Sequence, residues 1–279
     1  MGLVTPTGQE PPAHTPISDT DVVKPPSYDS QAALFRTTFA SVSLHSTDKI
    51  RFLQFSPDEI DKLRATITYF WSRGIQSEGN YGVSYEFKLR GVPWYGSGTG
   101  PDAVPSQILM REVFSRLYSM GWIMTASMDI SRKGYDKDTL VFRKQSVPPP
   151  AAVWTAISLK KSDKMRFLGA PPDLLAAVSE MLRSTRCLQS EMRKAKTDNY
   201  HEFTLNGGPW YADGTRTMAT RQLILRLVQT LEMQGWSVYA CIDQNSGPRN
   251  SSDASLSETD VWYCVKSLDW TPGSIILHR

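Results

Sequence analysis

Glu86-Phe87-Lys88-Leu89-Arg90-Gly91-Val92-Pro93-Trp94-Tyr95 returns as Glu202-Phe203-Thr204-Leu205-Asn206-Gly207-Gly208-Pro209-Trp210-Tyr211, 116 positions further along the chain. In both copies the alternation of apolar and polar residues reads as a half-buried strand. Glycine then frees the backbone, proline fixes φ, and a Trp-Tyr pair supplies a large amphipathic surface. Each copy is therefore predicted to be a strand ending in a rigid, aromatic-tipped turn.

Further matches lie on either side of this stretch. Ser43-Leu44, Asp48-Lys49 and Arg51-Phe52-Leu53 recur as Ser158-Leu159, Asp163-Lys164 and Arg166-Phe167-Leu168, each 115 positions on. Gly121-Trp122 and Asp129 recur as Gly235-Trp236 and Asp243 at a spacing of 114, and Asp138 recurs as Asp260 at 122. The added positions fall in the Ser- and Asn-rich stretch 244–258. Insertions are absorbed by surface loops, so the shifts in spacing mark element boundaries.

The chain thus reads as a tandem duplication of an α+β unit ordered strand-helix-strand-helix-strand-strand. It would form two sheets, or one continuous sheet, each covered by two helices. The copies could be related by a pseudo-twofold axis, or one edge strand could extend the other sheet. In the first copy, Ala40–Leu44 and Ile50–Phe55 alternate on either side of a polar break. Ser56-Pro57-Asp58-Glu59 opens a helix, with Ser as cap, Pro in the first turn and acids at the positive end of the dipole. Ile60, Leu63, Ile67, Phe70 and Trp71 fall on one face of it. A second helix turns Ile108, Leu109, Val113, Leu117 and Met120 inward and ends at Gly121. Trp122–Met128 and Thr139–Arg143 form a hairpin, and Trp122 and Trp236 are expected in the core. The organisation read from this is a Pro-rich tail (1–38), first repeat (39–146), stiff linker (147–152), second repeat (153–268) and C-terminal tail (269–279).

The length, 279 residues, suits two domains of ordinary size, and a 40% hydrophobic fraction allows a sizeable core. A formal charge of +3 makes no electrostatic case for nucleic acid. Cys187, Cys241 and Cys264 form no close pair, and His14, His45, His201 and His278 are scattered, so no disulfide framework, metal site or cofactor is expected. No run is long and apolar enough to span a bilayer, and the expected location is the cytoplasm.

Residues before about Gln31 are rich in Pro, Thr, Ser and Gly without periodicity, and read as a disordered tail. Within it, Pro25-Pro26-Ser27-Tyr28 resembles the PPxY ligand motif of WW domains. That resemblance implies a polyproline II segment gripped by aromatic grooves, with Pro25, Pro26 and Tyr28 as the contacts.

Signatures of chemistry are few. There is no GxSxG elbow and no Walker-type loop. The glycine-rich loop around Gly98, and its counterpart around Gly214, precede helices and could cradle an anion with backbone N–H groups. Trp94, Tyr95, Trp210 and Tyr211 could line a ligand or peptide groove; alternatively the indoles pack over the core. Asp129 and Asp243 could be acids or metal ligands, although an Asp at a strand end more often starts a turn. The Asp48-Lys49-x-Arg51 set and its repeat could bind an acidic group or pair locally. The expected function is a non-enzymatic adaptor that recruits a WW-domain protein, in the manner of ubiquitin-ligase adaptors, while its body contacts a second protein. The alternative is a module for a phosphate-bearing or lipid-headgroup ligand at the two Gly-rich/PW turns, and the third is an enzyme of unknown type.

Overall fold

A computed structural model describes residues 37–95, 100–128, 130, 138–194, 200–244 and 260–276. The first copy runs β1 (Phe39–His45), β2 (Lys49–Leu53), α1 (Pro57–Phe70), β3 (Ile75–Tyr81), β4 (Ser84–Leu89), α2 (Ala103–Ser119), β5 (Trp122–Met128) and β6 (Thr139–Lys144). The second runs β7 (Ala152–Lys160), β8 (Lys164–Leu168), α3 (Pro172–Ser184), β9 (Leu188–Lys194), β10 (Tyr200–Leu205), α4 (Arg216–Met233), β11 (Ser237–Ile242) and β12 (Val261–Ser267). Each copy builds its own six-stranded antiparallel sheet. The strand orders are β3-β4-β2-β1-β6-β5 and, matched strand for strand, β9-β10-β8-β7-β12-β11.

Register repeats as well as order. Ser43 lies opposite both Arg51 and Thr139, and its counterpart Ser158 lies opposite Arg166 and Val261. The bulges repeat too: Gln76 and Gln189 are the extra residues in β3 and β9, and Thr125 and Tyr239 those in β5 and β11. All four are edge strands, where a bulge discourages pairing with another chain. The duplicated α+β unit is thus the architecture, with two sheets and not one. Its order is fuller than expected, because β1 and β2 are separate strands and β3 and β9 are added. These last two carry little alternation: β3, Ile-Gln-Ser-Glu-Gly-Asn-Tyr, has no buried residue. The signal that identifies them is the repeat itself, since Gln76-Ser77-Glu78 returns as Gln189-Ser190-Glu191.

Helix α1 begins in a full capping box. The Ser56 side chain accepts from the Glu59 amide, and the Glu59 carboxylate accepts from the Ser56 amide at 3.0 Å. It buries Ile60, Leu63 and Ile67, and Trp71 caps its end. Helix α2 differs, burying Leu109, Val113 and Leu117 on one side and Gln107, Met110 and Phe114 on another. The first side packs over the sheet of its own copy. The second packs on the far face of the other sheet: Phe114 meets Tyr263 with ring centroids 4.9 Å apart, and Tyr118 meets Trp154 at 5.5 Å. Arg111 Nη1 donates to the Leu168 carbonyl at 3.0 Å. Gly169 makes room for that guanidinium, because a Cβ there would lie 2.0 Å from Arg111 Nη1.

The sheets also approach along β5 and β11, where the Met124 amide donates to Tyr239 Oη at 2.8 Å. Among the described residues α4 makes no packing on β1 comparable to that of α2 on β7. The copies are therefore packed head to tail, which replaces both the pseudo-twofold and the extended-sheet arrangements.

Trp122 and Trp236 are both buried, as their glycine-then-strand context predicts. Their surroundings differ. Trp122 Nε1 donates to Glu59 at 2.8 Å, while Leu174 takes the place of Glu59 in the second copy and Trp236 Nε1 has no partner among the described residues. Truncating either Trp to Ala should cost about 3–5 kcal/mol in chemical denaturation; a loss under ~1 kcal/mol would mean that the strand is misplaced. Trp→Phe should separate the two, costing ~1.5–3 kcal/mol more at Trp122, where a hydrogen bond to a charged group is lost, than at Trp236.

Candidate functional site

The repeated PW turn has the same construction in both copies. The Trp94 amide donates to the Thr47 carbonyl at 2.9 Å and its indole donates to the Lys49 carbonyl at 3.0 Å. The Trp210 amide donates to Ser162 at 3.0 Å and its indole to Lys164 at 2.9 Å. Each Trp thus fastens the turn after the fourth strand to the hairpin between the first two. Trp94 is completely buried and Trp210 half-buried against the second core. Both indole N–H groups thus anchor the fold; the Trp94 ring is wholly committed to the core, the second of its two alternatives, while the Trp210 ring is committed in part. Tyr95 and Tyr211, at 53% and 52% exposure, are the parts of the motif that face solvent.

The turns are latched differently on their far sides. In the first copy, buried Asp102 accepts from the Val92 amide at 3.1 Å and pairs with Arg73 at 2.8 Å. In the second, Thr220 Oγ1 donates to the Pro209 carbonyl at 2.8 Å. Gly214 is positioned before α4 with φ +52° and open space around it. Gly98, Asp129 and the PPxY residues Pro25, Pro26 and Tyr28 lie outside the described residues. Asp243 directly follows β11, and no group of His, Cys, Asp and Glu able to hold a metal occurs among the described residues.

The twin Lys-x-Arg sets lie on the sheet face opposite the helices of their own copy, and each pairs across strands. Arg51 Nε donates to Glu86 at 2.7 Å, Lys49 reaches the same carboxylate at 3.1 Å, and the Arg51 guanidinium stacks on Tyr81 at 3.7 Å. In the second copy Arg166 pairs with Glu202 and stacks on Tyr200 at 4.7 Å. The alternatives for these sets thus resolve to local pairing. Burial pushes the Glu86 carboxyl up, but Arg51 and Lys49 outweigh it and hold its pKa below the usual value. Glu59 follows the same balance, with burial opposed by Lys144, the Ser56 amide and Trp122, and is also held low.

The two faces differ in cover. In the second sheet, α2 lies over Ala156, Ser158, Leu168 and Tyr263, all buried. In the first, the counterparts Ser41, Ser43, Leu53 and Val141 are half-buried with no helix over them among the described residues. This open face was missed in the sequence, because alternation tells which residues face away from the helices but not what lies beyond them. A separate cavity of about 460 Å³ opens beside the β5–β11 seam. Tyr118, Ile123, Tyr239, Pro149, Trp270 and Ile276 line it, and neither Trp94 nor Trp210 does. Trp270 is stacked over Gly235, where a Cβ would lie 2.4 Å from the ring, so the segment after β12 is held against the start of β11.

Two predictions separate the roles within this region. Trp94→Ala should cost about 3–5 kcal/mol, whereas Tyr95→Ala should stay within ~0.5 kcal/mol, in chemical denaturation of each variant. The second concerns pH. A carboxylate whose folded pKa lies below its unfolded value, about 4.3, stabilises the fold fully above that value and loses the contribution as pH falls through the folded pKa. The melting temperature should therefore drop on acidification below about pH 4, and it should drop less in Glu59→Gln and Glu86→Gln.

A model of an uncharacterised domain family matches the chain twice, over residues 38–143 and 153–265. Neither a curated protein nor a solved structure matched. No helix among the described residues is long and apolar enough to cross a membrane. The two matches cover each six-stranded unit nearly end to end, and the chain belongs to that domain family, of which it carries two tandem copies.

Proposed function

We propose that the chain is a non-enzymatic adaptor. Its N-terminal segment recruits a WW-domain protein through Pro25-Pro26-Ser27-Tyr28, of the ubiquitin-ligase type that uses such ligands, and its paired domains hold a second protein. The observation that carries this reading is the position of the motif. It stands before both domain matches, the first of which begins at residue 38, in a stretch with too little apolar content to build a core. A short linear ligand outside a folded body stays accessible, and its prolines reduce the ordering cost of binding. Three free thiols, none in a disulfide, fit a reducing compartment, and the cytoplasm is the proposed location.

The test is titration of a labelled peptide spanning residues 18–36 against a panel of WW domains, with Tyr28→Ala as control. The native peptide should bind with dissociation constants of roughly micromolar order. Tyr28→Ala should abolish binding because the ring fills the groove. Phosphorylation of Tyr28 should weaken it, since a dianion would be forced toward an apolar slot. Equal behaviour of native and Ala peptides across the panel would end the adaptor reading.

A further inference from the structure

We infer that the open face of the first sheet, formed by β1, β2, β4, β5 and β6, docks an amphipathic helix with acidic flanks from a partner protein. The inference deepens the adaptor reading, since it gives the site and chemistry of the second partner.

The template is inside the molecule. The same face of the second copy already carries a helix, α2, whose Phe114 and Tyr118 rings pack on Tyr263 and Trp154. Four apolar residues on that covered face are Trp154, Leu168, Ile242 and Tyr263, and their first-copy counterparts are Phe39, Leu53, Met128 and Val141. All four remain apolar although no described residue covers the face: Phe39 and Met128 are each 46% exposed, against 8% for Trp154 and 1% for Ile242. Between them stand the short side chains of Ser41, Ser43 and Thr139, which leave a helix room to approach.

The charge on the face selects the partner. Lys49 and Arg51 share the single carboxylate of Glu86, which leaves the face net positive, and the exposed cation on it is Arg143, which replaces the apolar Val265 of the covered face. Acidic residues beside an apolar stripe complement this surface.

A second copy of the chain does not fit. The helix it would offer is α4, which has Leu225, Val228 and Glu232 where α2 has Arg111, Phe114 and Tyr118. Both rings and the guanidinium that grips the Leu168 carbonyl are missing. On the receiving side, Gln54 stands where Gly169 admits that guanidinium. Nucleic acid is disfavoured as well: the Arg51 guanidinium is already held between Glu86 and the Tyr81 ring and is not presented to a phosphate.

The probe is a synthetic helix carrying the Met110/Phe114/Tyr118 stripe of α2 with glutamates at the flanking positions, alongside the same helix with lysines. Both are titrated into the full chain, followed by fluorescence anisotropy and by backbone amide shifts. The acidic helix should bind at least tenfold more tightly than the basic one, with shifts confined to β1, β2, β4, β5 and β6. Arg143→Glu and Phe39→Ser, both at exposed positions that leave the core intact, should each weaken it at least fivefold. Equal binding of the two helices, no binding, or shifts centred on α4 or the β5–β11 seam would overturn the inference. So would a concentration-dependent dimer broken by Arg143→Glu, or tighter binding of an oligouridine 12-mer to the same strands. Tyr28→Ala in the full chain should leave helix binding unchanged. Failure of the native chain to bind any WW domain, with helix binding retained, would end the tail reading alone, and WW binding without helix binding would end this one alone.

Discussion

Helix α2 is the element on which the arrangement of the two copies depends, because it must satisfy two sheets at once. A sheet with an apolar face has to bury that face, and the second sheet has two such faces. Its own helices cover one through Leu174, Val178, Leu182, Leu223, Leu227 and Leu231, and α2 covers the other. That double duty explains the sequence of α2, which is apolar on two sides where α1 and α4 are apolar on one. It also explains Gly169, since the Arg111 guanidinium occupies the space of a side chain.

Head-to-tail packing is open in principle, and each added copy would present the same two surfaces again. In this chain the two outermost surfaces differ in sequence from the pair that is joined. The outer face of α4 has lost the rings of α2. The free face of the first sheet has exchanged Ala156, Val261 and Val265 of its counterpart for Ser41, Thr139 and Arg143. The same backbone thus carries a more polar set of residues on one face than on its matched counterpart.

The duplicated sites show how chemistry drifts while geometry stays. Glu59 joins a capping box, Trp122 and Lys144 in the first copy, and Leu174 fills the matching volume in the second. The PW turn is latched by a buried carboxylate once and by a threonine hydroxyl once. Desolvation and the Asp260 carboxylate push the Cys241 thiol up to about 11, and Cys264, wholly enclosed, is pushed further in the same direction.

The duplication, the bounds of most elements and the buried Trp122 and Trp236 were legible in the sequence, because they rest on local periodicity, caps and matched spacings. Alternation in Ile50–Phe55 and in Glu86–Leu89 distinguishes the two faces of a strand, and Ser56-Pro57-Asp58-Glu59 marks a helix start whatever surrounds it. Strands β3 and β9 were obscured because an edge strand exposed on most of its length carries no hydrophobic period. The role of Trp94 was open between core and groove, since one aromatic residue after a proline suits either. Tertiary structure decided it by bringing the Lys49 carbonyl to the indole N–H. It also decided that the copies stack head to tail, that Gln107, Met110 and Phe114 are interior, and that only one of two matched sheet faces is covered by a helix among the described residues. Each of these depends on which surface lies opposite, and the spacing of residues along a single chain does not encode that.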